Sequence, residues 1–246
     1  MILKDKVALV TGGAVRLGRA LALSLAEQGV KLIIHYGSSA GPAQATVAQV
    51  KAMGGKALTL QADFCQSGAA AGLIDRAVEH FGQLDILINN AAIFGAGDLS
   101  DTTEENWDKH FAINLKSPFF LSQAFAAHVG QERRGHIINI ADWRALRPGP
   151  DHLTYTLTKA GLVTMTQSLA LALAPNIQVN AIAPGAILPP PDKDQAYLEQ
   201  LGQALPLQRS GSPEEVSKAM LYLLQSDFVT GELIFVTGGE HLQRGA

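Results

Sequence analysis

Tyr155 and Lys159 stand four residues apart in "YTLTK", with Asp142 thirteen residues upstream in "ADWRAL". A phenol and an amine at that spacing share one face of a helix. An ammonium about 4–6 Å from a phenol lowers its pKa from the reference of about 10, which makes it a proton donor near neutral pH. The carboxylate is the unusual member of the group. Where a carbonyl becomes an alkoxide, catalysis calls for a hydrogen-bond donor, and a carboxylate would repel the developing charge. Asp142 suits a substrate that presents N–H groups. If protonated, or coupled to Tyr155, it also helps deliver a proton to a ring nitrogen while hydride reaches the adjacent carbon. The plainer alternative is a capping or surface carboxylate paired with Arg144.

A second chemistry-bearing stretch, "TGGAVRLG" (Thr11–Gly18), lies between a first strand and a first helix. A backbone turning there aims free N–H groups and a helix dipole at a pyrophosphate, and glycines admit it closely. Arg16 takes a place where glycine would be the simpler choice. The second strand ends "IIHYGSS" (Ile33–Ser39), with no acidic residue for a ribose 2'-hydroxyl. Arg16, Ser38 and Ser39 instead offer donors to a 2'-phosphate, so NADP(H) is the expected cofactor. A solvated surface charge is the alternative for Arg16.

These residues need a scaffold, and short β-branched runs alternating with alanine- and leucine-rich stretches predict one. Strands are expected over 6–12, 31–36, 56–63, 84–91, 136–141, 177–183 and 233–237. Helices are expected over 16–28, 42–53, 69–80, from about 101 to 128, 155–172 and 213–224. The pattern is an α/β fold, a single-domain doubly wound (Rossmann) seven-stranded parallel sheet with helices on both faces, over residues 1–246. The proline-rich "GAILPPPDKDQ" (Gly185–Gln195) is an irregular excursion after a strand end, and a substrate lid is expected over about 186–210.

The 246 residues are 47% hydrophobic and 17% charged, with a net charge of -3, which marks a globular chain with no electrostatic reason to bind nucleic acid. No apolar stretch approaches the roughly 20 residues that span a bilayer, and no basic run suggests a membrane surface. The single cysteine, Cys65, excludes an internal disulfide and is expected to be a small buried hydrophobe. The seven histidines show no metal-ligand spacing, so no metal is expected. No signal-type segment precedes the first strand, and a cytoplasmic protein is the expectation.

Taken together, these motifs resemble the short-chain dehydrogenase/reductase family over nearly the whole chain. "TGGAVRLG" is similar to the family's TGxxxGxG, with Arg16 replacing the middle glycine. "NNAA" (Asn89–Ala92) resembles NNAG, Asn114 matches the tetrad asparagine, "YTLTK" is the YxxxK pair, and "APG" (Ala183–Gly185) resembles the PG turn. The family's serine is replaced by Asp142. That change, with Arg16, resembles the pteridine reductases and dihydromonapterin/dihydrofolate reductases. "IHYGSS" also resembles their HxxRS segment, with Ser38 standing where arginine is frequent.

The resemblance implies a pterin-like small-molecule substrate touching Arg16, Phe94, Asp142, Tyr155 and Arg244, with Phe94 stacking on its ring. It implies that NADP(H) lies along Gly12, Arg16, Leu17, His35, Tyr36, Ser38, Ser39, Asp63, Phe64, Asn90, Ala91, Tyr155, Lys159, Pro184, Gly185 and Ile187. Asn114 would hold a water linking Lys159 to solvent, Arg244 would reach a neighbouring subunit's site, and a homotetramer would form through two long helices. For Phe94, ordinary packing is the alternative, and for Arg244 a frayed terminus. A carbonyl or 3-oxoacyl-thioester reductase, or an NADP-binding sensor without turnover, are the competing functions.

Overall fold

The β-branched runs become strands whose two faces are both covered. They are β1 (Val7–Val10), β2 (Lys31–Tyr36), β3 (Ala57–Gln61), β4 (Ile86–Asn89), β5 (Gly135–Ile140), β6 (Ile177–Pro184) and β7 (Leu233–Val236). In the computed structural model, which describes residues 1–95, 97–190 and 193–243, every pairing is parallel and the order is β3-β2-β1-β4-β5-β6-β7.

The helices are α1 (Arg16–Glu27), α2 (Ala40–Ala52), α3 (Ala69–Phe81), α4 (Glu104–Phe111), α5 (Ser117–Val129), α6 (Leu153–Leu173), α7 (Gln195–Gln203) and α8 (Pro213–Gln225). Alternation along β1 shows how the layers form. Ala8 and Val10 join a core with Leu21 and Leu25 of α1 and Met220 and Leu223 of α8, whereas Val7 and Leu9 join Leu73 of α3 and Phe125 of α5. This is the doubly wound α/β sheet, with helices on both sides.

Chain order reverses between β1 and β4, the place where open α/β sheets bind ligands at the strands' C-terminal ends.

Three local departures shape the site. The helix expected over 101–128 is α4 and α5 joined by a π-helical turn, Ala112–Lys116, which carries Asn114. Helix α6 starts at Leu153, so Tyr155 sits in its first turn. The excursion after β6 is not wholly irregular. Asp194 accepts a hydrogen bond from Tyr197 N at 3.0 Å and starts α7 inside the expected lid. Among the described residues no helix is long and apolar enough to cross a membrane.

Candidate active site

The loop after β1 is pinned to the end of β4. Thr11 Oγ1 accepts from Asn90 N at 2.9 Å and Ala91 N at 3.0 Å, and Asn90 Nδ2 donates to Thr11 O at 2.8 Å. Gly12 turns with φ +61°, and a Cβ on Gly18 would lie 2.2 Å from Gly12 O, so only glycine lets α1 begin there. The result is a cavity of about 790 Å³ above the strand ends. It is lined by Gly12, Arg16, Leu17, His35, Ser38, Ser39, Asp63, Phe64, Asn90 and Ala91, all expected from the sequence, and also by Lys109 and Cys65.

His35 does more than line this space. Its Nδ1 accepts from Gly12 N at 3.1 Å, so its Nε2–H donates to Ala62 O at 3.1 Å, and its ring stacks on Phe64 at 4.3 Å. Burial pulls its pKa down to about 4 despite the Ala62 carbonyl, leaving the ring neutral. With both nitrogens engaged, His35 also supports the phosphate loop from the cavity wall. Tyr36 packs against the core and is not part of the cavity wall, and Ile187 is buried in the same core. Cys65 is exposed, against expectation, because the turn after Asp63 faces outward. There Asp63 Oδ1 accepts from Cys65 N at 3.0 Å.

Beside this cavity, the catalytic group assembles from β5, the turn after it and α6. Asp142 caps a short 3-10 turn, Trp143–Ala145, with Oδ1 accepting from Arg144 N at 2.8 Å. Its Oδ2 accepts from the Tyr155 hydroxyl at 2.8 Å. The Arg144 guanidinium pairs with Asp151 at 2.8 Å, so Asp142 is not spent in a salt bridge with Arg144.

Lys159 is buried, donates from Nζ to Ile140 O at 2.6 Å and lies 5.6 Å from the Tyr155 ring centroid. Burial draws it down to about 8, with the Asp142 charge opposing. Tyr155 moves opposite to expectation. Burial pushes its phenol well above the usual value, and the charge and hydrogen bond of Asp142 add to the rise. A phenol that is buried and donates to a carboxylate resists ionisation, and only the Arg144 charge works the other way.

Asn114 Oδ1 accepts from Ile93 N at 2.9 Å, and its Nδ2 donates to Ile93 O at 3.0 Å and Thr158 Oγ1 at 3.2 Å. Its side chain is a clamp between the strand β4 exit and α6.

The adh_short_C2 family model, described as enoyl-(acyl carrier protein) reductase, matches residues 13–241. The chain belongs to the short-chain dehydrogenase/reductase family. A (2S)-[(R)-hydroxy(phenyl)methyl]succinyl-CoA dehydrogenase subunit of Thauera aromatica is 37% identical over 253 residues, covering 100% of both chains. A 3-oxoacyl-[acyl-carrier-protein] reductase of Staphylococcus epidermidis is 33% identical, with 97% of this chain and 100% of the relative aligned. The structure of FolM alternative dihydrofolate reductase 1 from Brucella canis, complexed with NADP, matches with a TM-score of 0.94. The two are 34% identical over 100% of this chain and 97% of that one.

In this short-chain dehydrogenase/reductase the mouth of the site is aromatic. Phe94 is half exposed, stacks on His152 at 4.2 Å and meets Tyr155 edge-on at 4.8 Å. One face of Phe94 is therefore already covered, by a histidine the motifs do not reveal. Arg16 Nη2 donates to Pro189 O at 2.7 Å, across the cleft to the lid. Pro184, Gly185, Tyr155 and Lys159 stand outside the wall of the main cavity. Arg244 lies outside the described residues. Glu240, placed against Gly185 by the turn after β7, also escaped sequence reasoning, because no local motif marks it. Among the described residues no group of three His, Cys, Asp or Glu side chains could hold a metal ion.

Proposed function

We propose that this chain is an NADPH-dependent reductase of dihydropterins, acting on dihydrobiopterin, dihydromonapterin, dihydrofolate or a relative. The observation that carries the reading is the Tyr155 hydroxyl donating to Asp142 at 2.8 Å. A ketone reductase needs a donor where this site holds an acceptor.

The residues present fit the dinucleotide: the wall of the 790 Å³ cavity includes glycines at the β1 turn, and Arg16, Ser38 and Ser39 stand on it. These three would hold the 2'-phosphate, with the backbone at the start of α1 facing the pyrophosphate. NADP in the Brucella canis structure supports the same cofactor here.

When bound, NADPH supplies the hydride taken up by the carbon of the substrate's C=N bond. Tyr155 and Asp142 hold the matching proton along their hydrogen bond and release it to the adjacent ring nitrogen, completing a two-electron reduction. Lys159 stands buried with its Nζ 5.6 Å from the Tyr155 ring centroid and would bind the nicotinamide ribose. Asn114 keeps the β4 exit and α6 in register, so that Tyr155 faces Asp142. Phe94 offers its uncovered face to the pterin ring, and the segment over 186–210 closes on it. Exposed Phe119 and Phe120 on α5 and Leu171 on α6 suit the homotetramer that the resemblance implies.

The 3-oxoacyl relative favours a second reading, a carbonyl or thioester reductase in which Asp142 is a variant. NADPH oxidation with dihydrobiopterin, dihydromonapterin and dihydrofolate against an acetoacetyl thioester separates the two. Turnover of the thioester alone overturns the dihydropterin reading. Cofactor binding with no turnover of either points to a sensor.

A further inference from the structure

Phe94 stands in the stretch that leaves β4, and its backbone is tied on both sides. Ile93 N donates to Asn114 Oδ1 at 2.9 Å, Gly95 N to His110 Nε2 at 3.3 Å, and Leu153 N to Gly97 O at 3.1 Å. These bonds fix the chain and leave the ring to be fixed by what it touches. The ring is half exposed, stacks on His152 at 4.2 Å with 27° between the planes, and meets Tyr155 edge-on at 4.8 Å.

His152 is itself anchored. It has φ +53° and ψ +40° at the N-cap of α6. Left-handed backbone is costly for a residue with a Cβ and persists where the surroundings over-determine it, although histidine tolerates it better than most. Nδ1–H donates to Asp151 Oδ2 at 3.0 Å, and Asp151 Oδ1 accepts from Arg144 Nη1 at 2.8 Å. Arg144 N in turn donates to Asp142 Oδ1 at 2.8 Å. The imidazole that covers one face of Phe94 is thus joined to the carboxylate that meets the Tyr155 hydroxyl.

We infer, on the dihydropterin reading above, that His152 is a positioning residue: it fixes the Phe94 ring at the angle at which the substrate's fused ring stacks on it. A free phenyl ring loses rotational freedom when a ligand settles on it, and that loss subtracts from binding. A ring already packed against an anchored imidazole has lost it beforehand. The benefit goes to a flat substrate, because stacking is a gain made by aromatic pairs, and a flexible oxoacyl chain forms none. In the bound state the layers run imidazole, phenyl, pterin, so His152 acts through Phe94 and does not touch the substrate.

The test is a double-mutant cycle of His152→Asn and Phe94→Ala, with His152→Phe alongside, in steady-state NADPH oxidation on a dihydropterin. NADPH affinity and Tm are measured for each variant. Asparagine accepts left-handed backbone and keeps a donor for Asp151, so it removes the ring and little else. Phenylalanine keeps a ring and removes the donor. His152→Asn is expected to raise the KM for the dihydropterin about threefold to tenfold, the size of one aromatic pair, with kcat within about twofold and NADPH affinity unchanged. In the Phe94→Ala background the same change is expected to have no further effect, and His152→Phe to keep the wild-type KM within about twofold.

An unchanged KM in His152→Asn overturns the inference. A lowered KM overturns it too, because the substrate then uses the face that His152 covers. A rise of the same size in both backgrounds, or weakened NADPH binding, overturns it in favour of a role apart from Phe94. The cycle decides the question even if His152→Phe does not fold. Each of these results, with dihydropterin turnover by the wild type, leaves the proposed function standing. Absence of that turnover overturns the proposed function itself, and the inference with it.

Discussion

Replacing Asp142 with serine is the most direct perturbation of the site, because it removes the carboxylate and leaves a hydroxyl. The Tyr155 hydroxyl reaches Asp142 Oδ2 at 2.8 Å, and Tyr155 is only 7% exposed. A hydrogen bond to a charged acceptor contributes about 1.5–3 kcal/mol. If that bond holds the transferred proton, Asp142→Ser lowers kcat/KM for a dihydropterin about 10- to 150-fold. The fold survives the change. Serine caps the turn after β5 as Asp142 does through Arg144 N, so stability falls by about 1 kcal/mol or less. The Tyr155 pKa moves down, because both contributions of Asp142, its charge and its hydrogen bond, are removed and burial is the one cause of elevation left. The assay pairs NADPH oxidation on a dihydropterin and on an acetoacetyl thioester with a phenolate absorbance titration and a thermal melt. A variant that melts normally and reduces the dihydropterin within about threefold of wild type refutes the reasoning. A simultaneous gain on the thioester assigns the chain to the carbonyl reductases.

Lys159, drawn down to about 8 by burial, loses its proton in the folded state well below its usual 10.5. Activity that needs the ammonium therefore declines as pH rises through about 8, and a kcat/KM profile with no such fall argues against its role. Two buried histidines, His35 and His136, stay neutral down to about 4, whereas the unfolded chain protonates near 6.5. Their contribution is complete above 6.5 and is lost progressively as pH falls from 6.5 towards 4, each by about 3 kcal/mol at most. A urea midpoint that stays flat over that interval contradicts the assignment. Gly18→Ala places a methyl 2.2 Å from Gly12 O, so it deforms the β1–α1 loop. Binding of NADPH, followed by fluorescence titration, should weaken at least tenfold, a loss of about 1.4 kcal/mol; wild-type affinity would show that the loop does not hold the cofactor.

The alternation of β-branched runs and helices carried the doubly wound sheet, because burial on both faces is written into each segment's own composition. The phosphate loop and the Tyr155–Lys159 pair were equally legible, since each depends on neighbours within one turn of chain. Reading stopped where a residue's role depends on another element. Whether Asp142 pairs with Arg144 or with Tyr155 is decided by Asp151, which takes the Arg144 guanidinium. The direction of the Tyr155 shift depends on burial that no spacing reports. His35 becomes a loop support because β2 sets it beneath Gly12, and Cys65 is exposed because its turn faces outward.

Helix α7 hides in a polar, proline-rich stretch whose start depends on the Asp194 cap. Glu240 is the furthest case. Nothing around "GGEHL" hints at that contact, and only the packing of β7 against β6 brings its carboxylate over Gly185. The sequence determined which groups exist and which local frames hold them, because propensity and periodicity are short-range. The tertiary structure decided which groups face one another and what charge each can bear, because burial and hydrogen-bond pairing are properties of the assembled core.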